Sequence, residues 1–280
     1  MKNQKKHNYE YDVDTTSASA PANVVRLVGT GKRVLEIGCG PGSITKVLAT
    51  EGQCTVTGME LDPSAIEKVA PFCESILQAD LNAKDWPTQL GDKRFDVVIA
   101  ADVLEHLYNP WQTLEKMATL INEDGYIVIS LPHVGHAAVI ACMMNGNFEY
   151  RDWGLLDRTH IRFFGLKNIE DLFANAGLKI VEARYVTKPP EETEFAAHWN
   201  ALAPAVQVAL RSSPYANLYQ VVLKAIPAER PGSGITLVPE RIPQSVPNGF
   251  STFKSKIGAR LSPGSKATIR KLLRSVGINL

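Results

Sequence analysis

The stretch Arg33–Gly42, RVLEIGCGPG, constrains this chain more than any other. Val34, Leu35 and Ile37 form a short apolar run of the kind that a buried strand shows, and Ser43–Thr50 carries Ile44, Val47 and Leu48 on one helical face. Between them stand Gly38, Gly40 and Gly42. Strand, glycine turn and helix open a nucleotide-binding βαβ unit. Glycines let the backbone turn tightly and let a ligand lie against it with no Cβ atom in the way. Glu36 discriminates between ligands. It precedes Gly38 by two residues, near the carboxyl end of the strand, where it faces the ligand cleft. A carboxylate there repels a pyrophosphate and accepts hydrogen bonds from an amine. The dinucleotide fingerprint G-x-G-x-x-G requires its third glycine at position 43, which is Ser43. The expected ligand is therefore an adenosine carrying an amino acid, and a nicotinamide oxidoreductase is disfavoured.

The rest of the chain supports an α/β domain with additions. Residues 1–16 are polar and expected to be mobile, and Ser17–Val28 reads as a helix. Strands are expected at 55–59, 76–78, 95–100 and 126–131, with helices at 64–70, 111–121 and 167–176. Asn122–Gly125 reads as a turn, and 178–186 with 218–226 as a closing antiparallel pair. Alternating strands and helices imply a doubly wound sheet. The expected organisation is an arm and helix over 1–30, the main domain over 31–227, a Pro/Gly-rich linker over 228–250 and a basic tail over 251–280.

Acidic residues close the next two strands. Glu60 stands 22 residues after Gly38, where an acid accepts ribose hydroxyls, with Leu61 beside it. Asp80 follows the third strand and suits the exocyclic amine of adenine, with the Leu81 backbone against the ring. The fourth strand and its turn read FDVVIAADVLEHL. With the glycine turn and the two acids, this resembles class I S-adenosylmethionine (SAM)-dependent methyltransferases over roughly residues 30–186. The resemblance implies a Rossmann-like, seven-stranded doubly wound sheet with SAM as cofactor. It places Asp102, Val103 and His106 in the turn beneath the methionine part of SAM. His106 also reads as a structural residue of that turn.

Residues 132–165 lie over the carboxyl ends of the strands, where the acceptor is expected, and are too long for a plain connection. Their segment LLDRTHIRFF resembles a subfamily that methylates sugars and other small cell-envelope precursors. The expected reaction is O-methylation of a sugar or lipid-linked glycan precursor. The alternatives are N- or O-methylation of a small metabolite or quinone precursor, or a non-catalytic SAM-binding subunit. Oxygen methylation needs alignment and removal of a proton, which suits a histidine. His160, flanked by Asp157 and Arg158, is the first candidate base and His133 the second. Tyr150, Trp153, Phe163 and Phe164 line the acceptor site or belong to the core.

Charge and cysteine usage bound the partners. The net charge is +1, yet residues 241–280 hold eight Lys and Arg and no acid, leaving −7 on the first 240. The four cysteines form no C-x-x-C pair, so neither a metal site nor a disulfide framework is expected, and a reducing cytosol fits. No secretory signal or bilayer-spanning run is expected. Phe253, Ile257 and Leu261, then Ile269, Leu272, Leu273 and Val276, mark helical apolar faces with basic flanks. They suit an anionic membrane surface on its cytoplasmic side, packing on the acidic core, or a homodimer contact. Nucleic acid is not an expected partner.

Overall fold

The computed structural model describes residues 9–238 and 241–243; the predicted tail, 251–280, lies outside the described residues. In chain order the elements are α1 (Ala20–Val28), β1 (Arg33–Ile37), α2 (Ser43–Thr50), β2 (Thr55–Glu60), α3 (Pro63–Val69), β3 (Ser75–Gln78) and β4 (Phe95–Ala101). Then come α4 (Pro110–Ala118), β5 (Ile121–Pro132), α5 (Ala137–Met144), α6 (Leu166–Asn175), β6 (Leu178–Thr187), α7 (Ala196–Asn200), α8 (Pro204–Arg211) and β7 (Leu218–Pro227).

The sheet has seven strands in the order β3-β2-β1-β4-β5-β7-β6. β1 to β5 pair in parallel, and β7 runs antiparallel to both β5 and β6. The expected closing pair is present. Strand order reverses between β1 and β4, so their carboxyl ends flank the crevice in which such sheets bind ligands. Both sheet faces are buried, as a parallel sheet requires. Leu35, Ile37, Val98 and Ala100 face Leu114 and Met117 of α4 and Ile169, Leu172 and Phe173 of α6. Val34, Val56, Val97 and Ile99 face Val24, Leu27 and Val28 of α1 and Ile44 and Leu48 of α2.

Three regions differ from the sequence reading. The helix expected to reach residue 121 ends at Ala118, because Ile121 already pairs with Phe95. The turn expected at Asn122–Gly125 is an irregularity within β5, where the register jumps from Phe95–Ile121 to Val97–Tyr126. Arg230 holds it, donating to the carbonyls of Gly125 (2.5 Å) and Asn122 (2.8 Å). Residues 228–238, expected as linker, lie along β6 and α6. Ile235 N–H donates to the Ile180 carbonyl at 2.7 Å, and Leu237 is buried.

The acceptor insertion contains a helix the periodicity does not reveal. α5 buries Ala137, Ala138, Val139, Ala141 and Cys142, so it shows no polar stripe. His136 caps it: Nδ1 accepts from Ala138 N–H at 3.1 Å, and Nε2 lies 2.8 Å from the Lys188 carbonyl. Phe195 at the start of α7 and Trp199 within it pack against α5 and its surroundings. No helix among the described residues is long and apolar enough to cross a membrane.

Candidate active site

The cleft begins at the glycine turn. Gly38, Gly40 and Gly42 all have positive φ, at 64°, 54° and 94°. Gly38 and Gly40 serve different ends. A Cβ on Gly38 would lie 2.7 Å from the Val103 side chain, so this glycine lets the turn after β4 close on the turn after β1. A Cβ on Gly40 would meet nothing within 4 Å, so that side of the turn borders open space for a ligand. Glu36 is 3% exposed and accepts one hydrogen bond, from Thr45 Oγ1 at 2.7 Å. Burial pushes its carboxyl up to about 7. A buried carboxylate with a single neutral donor among the described residues lacks a counter-charge, the place that a ligand ammonium would fit.

Glu60 binds the turn itself. One oxygen accepts from Gly40 N–H (2.8 Å) and the other from Leu61 (2.7 Å) and Asp62 (2.9 Å). Three backbone donors leave the carboxylate further lone pairs for ribose hydroxyls. Asp80 is exposed, with Oδ1 accepting from Asn82 N–H at 2.9 Å. Leu61 is 56% exposed and Leu81 half-buried, so apolar surface stands open on the side expected for adenine.

Asp102 forms the floor. Its φ of 54° is left-handed, a conformation that costs a non-glycine residue on the order of 1–3 kcal/mol. The strain is held by Ser130 Oγ, which donates to Oδ1 at 2.7 Å, and by Gln220 Nε2, which donates to Oδ2 at 3.0 Å. Burial raises the Asp102 carboxyl above its ordinary range.

The turn Leu104–His106 is laced to the segment Asp157–Phe164. The Glu105 carbonyl accepts from the N–H groups of Ile161 (2.9 Å) and Arg162 (3.0 Å). His106 Nδ1 lies 3.0 Å from Thr159 Oγ1 and 3.2 Å from its carbonyl, and Thr159 Oγ1 donates to Asp157 at 2.7 Å. His160 is 9% exposed, with its Nε2 3.9 Å from Glu105 and its ring edge-on to His106. Burial pushes its pKa down to about 4. His133 is 3% exposed, packs on Tyr215 and is pushed down to about 4 for the same reason. His160 and His106 therefore share one corner, and His133 packs elsewhere.

The aromatic candidates separate. Tyr150 and Trp153 are exposed, Phe163 is half-buried against Phe148, and Phe164 belongs to the main core.

Sequence reasoning missed the N-terminal arm. Residues 9–13 are not loose: Tyr11 N–H donates to Ser43 Oγ at 3.0 Å, Ser43 Oγ lies 3.3 Å from the Tyr9 carbonyl, and Glu10 pairs with Lys68. Tyr9 Oη lies 3.5 Å from Asp157 Oδ2. The Tyr11 hydroxyl is raised by burial and by the nearby Asp102 and Glu36 carboxylates. The arm thus crosses from cofactor turn to acceptor segment. Its two tyrosines, Tyr9 and Tyr11, within a polar run were the available signal.

Comparison with known proteins agrees with this geometry. A family profile described as a methyltransferase domain matches residues 9–183. A ubiquinone biosynthesis O-methyltransferase of Coxiella burnetii is 23% identical over 168 residues, covering 59% of this chain and 71% of that protein. Its counterpart in Glaesserella parasuis is 32% identical over 107 residues, 36% of this chain and 45% of that protein. Among solved structures, a putative methyltransferase of Bacillus halodurans aligns at TM-score 0.53 and 13% identity, covering 75% of this chain and 99% of that one. The magnesium protoporphyrin IX methyltransferase of Synechocystis, solved with bound SAH, aligns at TM-score 0.51 and 18% identity over 74% and 81%. The chain belongs to the methyltransferase-domain family, with the fold and cofactor cleft of its SAM-dependent class I members.

Proposed function

We propose that this chain transfers the methyl group of SAM to a phenolic oxygen of a quinone precursor or a related small aromatic compound. The observation that carries the reading is the aromatic wall of the acceptor side. Phe148 meets Tyr150 and Phe163 edge-on, at 5.3 and 5.6 Å between ring centres. Edge-to-face rings with exposed apolar surface suit a flat, apolar acceptor better than a sugar, whose hydroxyls need polar partners. The names of the curated relatives support the same class, and the sugar or lipid-linked glycan acceptor is the weaker alternative.

SAM supplies an activated methyl on a sulfonium: the acceptor oxygen forms the new C–O bond, the C–S bond breaks, and sulfur keeps the electron pair. The chain does the rest. Glu36 offers its carboxylate to the ligand amine, Glu60 and Asp80 face the nucleoside, and Leu61 and Leu81 border the base. Asp102, fixed by Ser130 and Gln220, lies beneath the methionine part. The hydroxyl proton leaves at the corner of Glu105, His106 and His160, where both rings sit beside the acceptor segment.

The test is methyl transfer from labelled SAM to a panel of catechol and hydroquinone-type phenols set beside sugar nucleotides, with products read by mass spectrometry. A methyl ether on a phenol is expected. Turnover of sugars alone returns the glycan reading.

A further inference from the structure

The corner after β4 brings three metal-type donors together. Glu105, His106 and His160 each place a ligand atom within 4.8 Å of the others. Glu105 is fully buried, and neither carboxylate oxygen has a hydrogen-bond partner among the described residues. An ionised carboxylate so placed is expensive unless a cation meets it.

The two imidazoles are oriented alike. His160 Nδ1 lies 3.4 Å from the Leu155 carbonyl, and His106 Nδ1 lies 3.2 Å from the Thr159 carbonyl and 3.0 Å from its hydroxyl. Thr159 gives its own proton to Asp157 at 2.7 Å, so it accepts from the imidazole. Each ring thus holds its proton on Nδ1 and carries its lone pair on Nε2. That is how metal-bound histidines are oriented by their surroundings. His160 Nε2 lies 3.9 Å from Glu105 Oε1. Donors around a tetrahedral ion with bonds of about 2.0–2.1 Å stand about 3.3 Å apart, so a shift on the order of 1 Å closes the site.

We propose that Glu105, His106 and His160 bind a divalent transition-metal ion of the zinc type, with an open position for the acceptor oxygen. Two imidazoles and one carboxylate favour zinc, cobalt or manganese over calcium. The ion supplies the counter-charge Glu105 lacks. A hydroxyl bound at the open position ionises more readily, its proton passing to solvent water and its oxygen then taking the methyl. That role rests on the phenol reading above, whereas the site itself does not. A second cluster, Cys142, Glu149 and His198, is a built-in control. There both Glu149 carboxylate oxygens are already paired, one with His198 and one with Arg151, each at 2.6 Å.

The experiment uses the full-length, tag-free chain treated with chelator. Calorimetric titration with Zn²⁺ and visible absorption on adding Co²⁺ read the site without any turnover. One equivalent of Zn²⁺ and an intense tetrahedral-type Co²⁺ spectrum are expected. Glu105→Gln and His160→Ala should each weaken Zn²⁺ at least about ten-fold, the scale that loss of a metal ligand or its support produces, while His198→Ala should not. Circular dichroism and SAM affinity confirm that each variant is folded. Unchanged Zn²⁺ affinity in both folded variants, or no binding to the wild type, overturns the site. Zn²⁺ binding that disappears in His198→Ala overturns it in favour of the other cluster. Bound metal with no methylation of any phenol leaves the site standing and overturns the acceptor reading instead.

Discussion

The cofactor half and the acceptor half of this cleft are built in different ways. From Arg33 to Leu81 each functional group lies at or just after a strand end, and its partners are on the turn or helix beside that end. Glu36 meets Thr45, and Glu60 meets Gly40, Leu61 and Asp62. The acceptor half is assembled from afar. His106 meets Thr159, His136 meets the Lys188 carbonyl, and Tyr219 Oη meets Glu194. Local construction makes a site legible and tolerant of change elsewhere. Remote construction ties acceptor geometry to segments that carry no motif.

Substitutions in the two halves should therefore fail differently. The largest effect is expected from Gly40→Val, which puts a branched side chain into open space at φ 54°. SAM binding should vanish by calorimetry, while the left-handed backbone costs on the order of 1–3 kcal/mol of stability. Retained SAM affinity would mean that the cofactor does not lie against this turn.

His160→Ala should lower turnover about 10²-fold or more while leaving SAM affinity within error, since losing a group that promotes ionisation of the acceptor hydroxyl has that scale. A parallel loss of SAM binding would show that the two halves are not separable.

Glu36 gives a pH signature peculiar to the cofactor half. Its carboxyl titrates near 7 when folded, against 4.5 as the ordinary value. A raised carboxyl favours the folded state below about 4.5, and that contribution is lost as pH rises through about 7. The full difference is about 3 kcal/mol. His133 and His160, both pushed down to about 4, act oppositely, losing stability as pH falls from about 6.5. Subtracting the melting profile of Glu36→Gln from the wild type, without SAM, isolates the carboxyl. The wild type should lose ground to the variant between about pH 4.5 and 7, and SAM affinity should rise over the same interval. Parallel profiles would place Glu36 in ordinary solvated chemistry.

The smallest effect belongs to the arm. Tyr9→Phe removes a hydroxyl that meets Asp157 and Thr159 at the edge of the acceptor segment, and should change KM for the acceptor by no more than a few-fold, with kcat unchanged.

Much of the cofactor half is readable in the sequence because spacing alone sets it. A glycine turn, an acid two residues before it and acids at successive strand ends all stand at or just after the carboxyl ends of β1, β2 and β3, where the sequence reading expects them. The acceptor half is less readable, for identifiable reasons. α5 is apolar all round, so it offers no periodicity. Helical spacing in Trp111–Ile121 does not reveal that Ile121 is claimed by Phe95 through a sheet pairing. Four histidines near one sheet end look alike as letters, yet His136 caps a helix, His133 packs on Tyr215, and His106 and His160 share a corner. Ser43, noted only as a missing glycine, anchors the arm.

The covering of β6 bears on how this protein behaves in concentrated solution. An open sheet has two borders, and an unpaired border recruits strands from other molecules. On one side the border is β3, only four residues long. On the other, β6 is ten residues long, but its pairing with β7 slips twice, at Ile180/Glu182 and Val186/Thr187. Ile235 occupies the Ile180 carbonyl, and Lys179 reaches the carbonyls of Arg230 and Gly232. Residues 228–238 after β7 thus act as a gatekeeper: they occupy a β6 carbonyl that another molecule's strand would otherwise use, and Pro231, Gly232 and Gly234 make them a poor template themselves.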